Sequence, residues 1–335
     1  MKKIAQYIFS IGLTLLFGYL ALAGVEFSAL WQTVQEVTAQ SVIFIVAITL
    51  VRIGLRTWRW QMMMRSFAGH IGYVVTYLAV AICYAANVVV PRSGDILRAV
   101  LLGWSDRAAV GPLLGSVAAE RVFDVLLLAL LAGSVFTLLA PQHMSVYPQL
   151  AWSIPLVIVA AGLLLLLMSL FAAGRFALAV RLVGRISPRL GALVEPHIAA
   201  VAQGMDSLRR PRQYAAIAGV SLLLHLSYAG LIYVGYWGMG LTAAYGLGVE
   251  AALLTMVVSA VSFFVPTPAG IGPFHFFFKE ALITFYAVPP TEALACATVV
   301  HATYNLTYLV AGGLAALAVQ GRRWWQDRST ALKAP

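Results

Sequence analysis

The stretch Val90-Pro91-Arg92-Ser93-Gly94-Asp95-Ile96-Leu97-Arg98 cuts an apolar run that starts near residue 72. Proline has no backbone N–H to continue a helix, and Asp95 can cap a short new one over 96–103. The run reads as two helical legs joined at a break. The flanking charges decide whether those legs cross a membrane or turn back inside it. Arg56, Arg59 and Arg65 close the preceding apolar segment, 41–60, whereas the following one, 112–138, leads into 139–152, which has no Lys or Arg. Basic residues collect on the cytoplasmic side. Residues 72–105 therefore begin and end inside, as a re-entrant hairpin does.

The same parity extends in both directions. Sixteen of the 22 Lys and Arg fall in five places: Lys2 and Lys3; Arg56, Arg59 and Arg65; Arg175, Arg181, Arg185 and Arg189; Arg209, Arg210 and Arg212; and Arg322, Arg323, Arg328 and Lys333. The connections 24–40, 139–152 and 238–249 contain none. Apolar stretches of roughly the 20 residues that cross a bilayer lie at 4–23, 72–90, 112–138, 153–173, 214–237 and 292–318, with shorter or interrupted ones at 41–60, 249–265 and 274–288. Segment 4–23 looks like a signal peptide at first, but its apolar run is long for one, and it reads as an uncleaved first span. With both termini inside, 249–288 must start and end outside. Its break is Pro266-Thr267-Pro268-Ala269-Gly270-Ile271-Gly272-Pro273.

Two Pro/Gly-broken segments, one entering from each face, are the pattern of an inverted-repeat transporter with a midplane site. The expected fold is an all-α polytopic integral membrane protein. It has six full transmembrane helices plus two re-entrant hairpins in a single domain, 1–335, with halves near 1–138 and 153–320. The competing reading is a set of ordinary kinked spans. The loop 174–213 reads as an amphipathic cytoplasmic surface helix, either a plain basic anchor or a contact for anionic lipid.

Composition agrees: 61% of the 335 residues are hydrophobic and 10% are charged, against about 25% charged in soluble domains. The net charge of +10 sits on the rims of the membrane segments, which argues against nucleic acid. Cys83 and Cys296 are single cysteines in apolar segments and suggest neither a disulfide nor a metal framework. No metal and no cofactor are expected.

Charges inside apolar segments cost at least about 2.5–3.5 kcal/mol each and usually face a cavity or a partner. Arg92, Asp95 and Arg98 group around the first break. Two guanidinium groups there suit a phosphate, or form an internal bridge with Asp95. Glu120, Arg121 and Asp124 lie inside 112–138, and Glu120 and Asp124 share a face at i, i+4. Pairing with Arg from the first hairpin would settle their repulsion; proton carriage is the alternative. Arg52, Arg56 and Arg59 form a stripe climbing from the cytoplasmic rim. Snorkelling accounts for Arg56 and Arg59, which leaves the deeper Arg52 as a site residue. In the second half His275, Lys279 and Glu280 follow the break, and His301 and Asn305 share a face of the next span. No G-x-x-x-x-G-K-[ST], H-E-x-x-H or G-x-S-x-G motif occurs.

Val90 to Arg98, Glu120-Arg121-Val122-Phe123-Asp124, Pro266 to Gly272 and Arg56-Thr57-Trp58-Arg59-Trp60 together resemble the flippase-like transmembrane domain of lysylphosphatidylglycerol synthases and their stand-alone relatives. The resemblance implies lipid translocation rather than lipid aminoacylation, because the synthase domain is missing; hopanoid- or glycolipid-associated relatives leave the cargo open. Where the family often has Glu after the second break, this chain has His275. The combined expectation is a lipid transporter without an ATPase motif, in the bacterial cytoplasmic (inner) membrane. It would bind anionic-headgroup lipids through Arg52, Arg92 and Arg98, with Asp95, Glu120, Arg121 and Asp124 organising the site and Pro266, Gly270 and Gly272 shaping the second break. Two alternatives are an intramembrane transferase using Asp95 or Glu120 as base, and a non-catalytic partner of lipid-synthesis enzymes.

Overall fold

The protein is described by a computed structural model covering residues 2–105, 108–139 and 211–331, with isolated positions 185, 187, 195 and 199. The predicted span 153–173 and the surface loop 174–213 (apart from its last residues and those positions) lie outside the described residues. Among the described residues the regular structure is helical throughout. The elements are α1 (Lys2–Leu22), α2 (Phe27–Gln35), α3 (Ala39–Ala68), α4 (Tyr73–Val89), α5 (Ser93–Ser105), α6 (Val110–Ser134, ending in a π-turn Val135–Leu139), α7 (Pro211–Gly238), α8 (Leu241–Tyr245), α9 (Val249–Ser259, tightening to 3-10 over Ala260–Phe264), α10 (Pro273–Tyr286) and α11 (Pro290–Ala331).

Among the described residues, four helices are long and apolar enough to cross a membrane: α3, α6, α7 and α11. A fifth crossing results if α1 and α2, bent by 86° across their short break, are one span. These positions coincide with five of the predicted segments, 4–23, 41–60, 112–138, 214–237 and 292–318. Helices suit them because hydrocarbon offers no partner for backbone N–H and C=O groups, so each segment must satisfy its own. The 30 residues of α3 extend about 45 Å, more than the roughly 30 Å hydrocarbon layer.

Both predicted breaks are helical hairpins with short legs. At the first, Arg92 takes a left-handed conformation (φ 61°). Ser93 Oγ donates to the carbonyls of Val90 (2.9 Å) and Ala86 (3.2 Å), while the Gly94 N–H donates to Asn87 Oδ1 at 2.8 Å. The second leg therefore starts at Ser93, earlier than the expected 96–103, and Asp95 sits in its first turn without capping it. Asn87 supplies the capping oxygen, which frees the Asp95 carboxylate for other partners. The legs touch so closely that a Cβ on Gly94 would lie 2.0 Å from the Cys83 carbonyl oxygen. At the second break Ala269, Gly270 and Gly272 all have positive φ, and Pro273 opens α10 at a position where its missing N–H costs nothing.

Small residues let the bundle close, as is usual for membrane helices. α11 lies along α4, where a Cβ on Gly312 would fall 2.3 Å from that of Ala85. α3 runs antiparallel to α7, and the Thr38 N–H meets the Gly238 carbonyl at 3.2 Å. Tyr245 hydrogen-bonds Glu292 at 3.0 Å, and Gly24 faces Pro290. The basic-free connections 24–40 and 238–249 thus share one end of the molecule with the start of α11.

Candidate functional site

α3 turns Arg52, Arg56 and Arg59 towards the interior, and all three are buried. α6 presents Glu120, Arg121 and Asp124 opposite them, and α5 adds Asp95 and Arg98. Glu120, fully buried, is the hub. Its Oε1 accepts from Arg56 Nε at 2.7 Å and Arg59 Nη2 at 2.8 Å, and its Oε2 lies 2.8 Å from Arg98 Nη2. That last contact is a close ion pair without a well-directed N–H, so Arg98 keeps unsatisfied donors. Asp95 receives a two-pronged contact from Arg121 (2.7 and 2.8 Å) and longer ones from Arg56 (3.3 Å) and Arg98 (3.4 Å). Asp124 pairs with Arg59, which also donates to Ser221 on α7, and at 3.5 Å with Arg121.

This arrangement revises several expectations. Glu120 pairs with a hairpin arginine, Arg98, but Asp124 takes its partners from α3 and its own helix. Arg56 and Arg59 do not snorkel to the rim. Each faces α6, because buried carboxylates there offer better partners than distant headgroups. The i, i+4, i+7 stripe on α3 put them on one face but left the choice between rim and interior open. Arg92 leaves the group: its side chain is exposed, and Nη2 donates to the Phe263 carbonyl at 3.2 Å, at the foot of the second break. α4 also packs on Pro268–Gly270, so the two breaks meet.

Arg52 occupies a setting of its own. Its guanidinium carbon lies 3.2 Å from the centroid of the Tyr228 ring and 6.0 Å from that of Tyr308. Tyr308 stacks on Tyr84 at 4.2 Å, and Arg56 covers Tyr84 at 5.0 Å. Such cation–π contacts favour a buried cation by roughly 2 kcal/mol when desolvated. Arg98 makes another with Trp60 at 4.4 Å.

The second-half candidates lie elsewhere. His301 Nε2 contacts the Ala269 carbonyl at 3.0 Å, tying α11 to the strained break, and its ring lies 4.7 Å from those of His275 and Phe274. Asn305 donates to the His301 carbonyl one turn back. Pro266, Gly272 and Lys279 hold α1: the Pro266 carbonyl accepts from Ser10 at 2.6 Å, and Gly272 sits against the Thr14 carbonyl. Lys279 Nζ caps the C-terminus of α1 through the carbonyls of Leu20 and Ala23, each at 3.1 Å. Glu280 is half-exposed, 3.5 Å from Lys279, and Gly270 serves the turn through its φ of 76°. Among the described residues no three His, Cys, Asp or Glu group as metal ligands.

Four guanidinium groups, those of Arg56, Arg59, Arg98 and Arg121, meet three carboxylates in the cluster, and with the neighbouring Arg52 two positive charges are left over among the described residues. Comparison with known proteins gives one family: a profile described as the lysylphosphatidylglycerol synthase TM region matches residues 7–312. No curated protein and no solved structure matches the chain.

Proposed function

The chain belongs to the family of the lysylphosphatidylglycerol synthase TM region, and from that premise we propose that it moves an amphiphile with an anionic, phosphate-bearing headgroup between membrane leaflets. Membership makes it an integral membrane protein of a family tied to lipid synthesis and transport. The observation that carries the transport reading is the meeting of the two broken hairpins beside a buried cluster with surplus positive charge. In this reading the hairpins enter from opposite faces as halves of an inverted repeat, and six spans surround them. Both termini face the cytoplasm, and the membrane is the bacterial inner one. The headgroup crosses through the interior while its tails stay in lipid, and the contact between the tips opens to let it pass. Arg92, held in a left-handed conformation that costs an L-residue about 1–2 kcal/mol, is the strained part of that contact.

An intramembrane transferase is less well served. Asp95 and Glu120 each have three arginine partners, so neither is free to take a proton from a substrate hydroxyl. The test is leaflet exchange of a fluorescent phosphatidylglycerol analogue in proteoliposomes, read as loss of signal to an impermeant reductant. Protein-dependent loss beyond the outer leaflet's share is expected, slower for the phosphatidylcholine analogue. Exchange no faster than in empty vesicles would refute transport.

A further inference from the structure

Arg52 is fully buried, and none of its Nε, Nη1 and Nη2 makes a well-directed hydrogen bond, the nearby Tyr228 lying against the face of the group. The Tyr308 hydroxyl, also buried, has no partner either. Each carboxylate of the cluster is engaged by other arginines. A buried donor left unsatisfied costs about 1–3 kcal/mol, more when charged, and Arg52 has three such nitrogens in one plane. The Tyr228 ring covers one face of that plane at 3.2 Å. Stacking uses the face of a guanidinium and leaves its edges free. Those edges form the fork that takes two oxygens of a phosphate side by side.

We propose that Arg52 and Tyr308 form an internal oxyanion site that takes a phosphate group, bound edge-on by the guanidinium fork and by the tyrosine hydroxyl. Tyr84, stacked on Tyr308, fixes the ring that carries the hydroxyl, and Arg56 on the other side of that stack adds positive field. The site is separate from the Glu120 hub, whose arginines each lie within ion-pair distance of a carboxylate. One of the two surplus charges is Arg52 itself, which has no carboxylate contact. As the place where a headgroup would pause, the site rests on the transport reading above; as a binding site it stands on the donors alone. The phosphate can come from a lipid phosphodiester or from free phosphate.

The test is the thermal unfolding midpoint of the detergent-purified full chain, titrated with dihexanoyl phosphatidylglycerol, dihexanoylglycerol, sodium phosphate, or sodium chloride at matched ionic strength. A saturable rise with the phosphatidylglycerol is expected, with none for the uncharged diacylglycerol or chloride. A rise with phosphate as well assigns recognition to the headgroup alone; a rise with the lipid only assigns it to headgroup plus tails. Arg52→Gln should weaken half-saturation about tenfold or more. Arg52→Lys should recover part of the loss, and Tyr308→Phe should weaken binding several-fold. Wild-type half-saturation in folded Arg52→Gln overturns the site; should that variant not fold, wild-type half-saturation in Tyr308→Phe does so. Leaflet exchange by the wild type decides the transport reading separately: binding without exchange refutes transport and leaves the site standing.

Discussion

Glu120 has no exposure and three guanidinium partners, so removing its charge leaves arginines stranded where water does not reach. Breaking a buried pair in this way costs about 3–5 kcal/mol. Glu120→Gln should therefore lower the thermal midpoint far more than Asp124→Asn, since Asp124 keeps 24% of its side chain exposed. Adding Arg98→Gln to Glu120→Gln should cost less than the sum of the single changes, by about 0.5–3 kcal/mol in a double-mutant cycle. Strict additivity would remove Arg98 from the hub. The acidic members of this cluster were legible in the sequence because carboxylates inside an apolar run need neutralising. Arg56 and Arg59 were not, because a basic residue near the cytoplasmic rim has two solutions, headgroup or interior. Only the facing of α3 on α6 selects between them. Tyr228, Tyr84 and Tyr308 gave no signal at all, since a tyrosine in an apolar helix is ordinary until a cation is found on its ring.

The two hairpins are held by different devices, and each can be broken separately. Gly94→Ala places a methyl group inside the contact with the Cys83 carbonyl; such overpacking costs about 1–3 kcal/mol. The thermal midpoint should fall even though the substitution favours helix, and an unchanged midpoint would mean that the legs can separate freely. Lys279→Met keeps the length of the side chain but removes the donor that caps α1. Amide exchange over residues 20–24 should then quicken while exchange in α3 and α7 does not. Equal protection in the variant would deny Lys279 that role. Pro91 and the Pro266–Pro273 run announced both breaks, because a missing N–H and obligatory positive φ have few other uses in an apolar run. The roles of Lys279 and Gly272 were hidden for a different reason. They serve α1, more than 250 residues away, and no local spacing reports such a contact.

Across the described residues, the basic-free connections 24–40 and 238–249 lie at one end with the start of α11. Ala243→Cys, on the exposed side of α8, should react with an impermeant thiol reagent added outside intact cells, and Ser66→Cys in the last turn of α3 should not. Labelling of Ser66→Cys alone would invert the orientation. The described helices account for five predicted segments, and the 17 residues of α4 fall short of the roughly 20 that a full crossing takes. The central claim is that headgroups pass where the hairpins meet. Arg92 and Phe263 are both exposed and joined across that meeting point. With Cys83 and Cys296 replaced by Ala, Arg92→Cys and Phe263→Cys can be bridged by a cleavable bifunctional thiol reagent of about an arginine's length. Leaflet exchange of the phosphatidylglycerol analogue should fall to the rate of empty vesicles when the tips are bridged, and recover when the bridge is cleaved. Exchange that continues at the unbridged rate would contradict it.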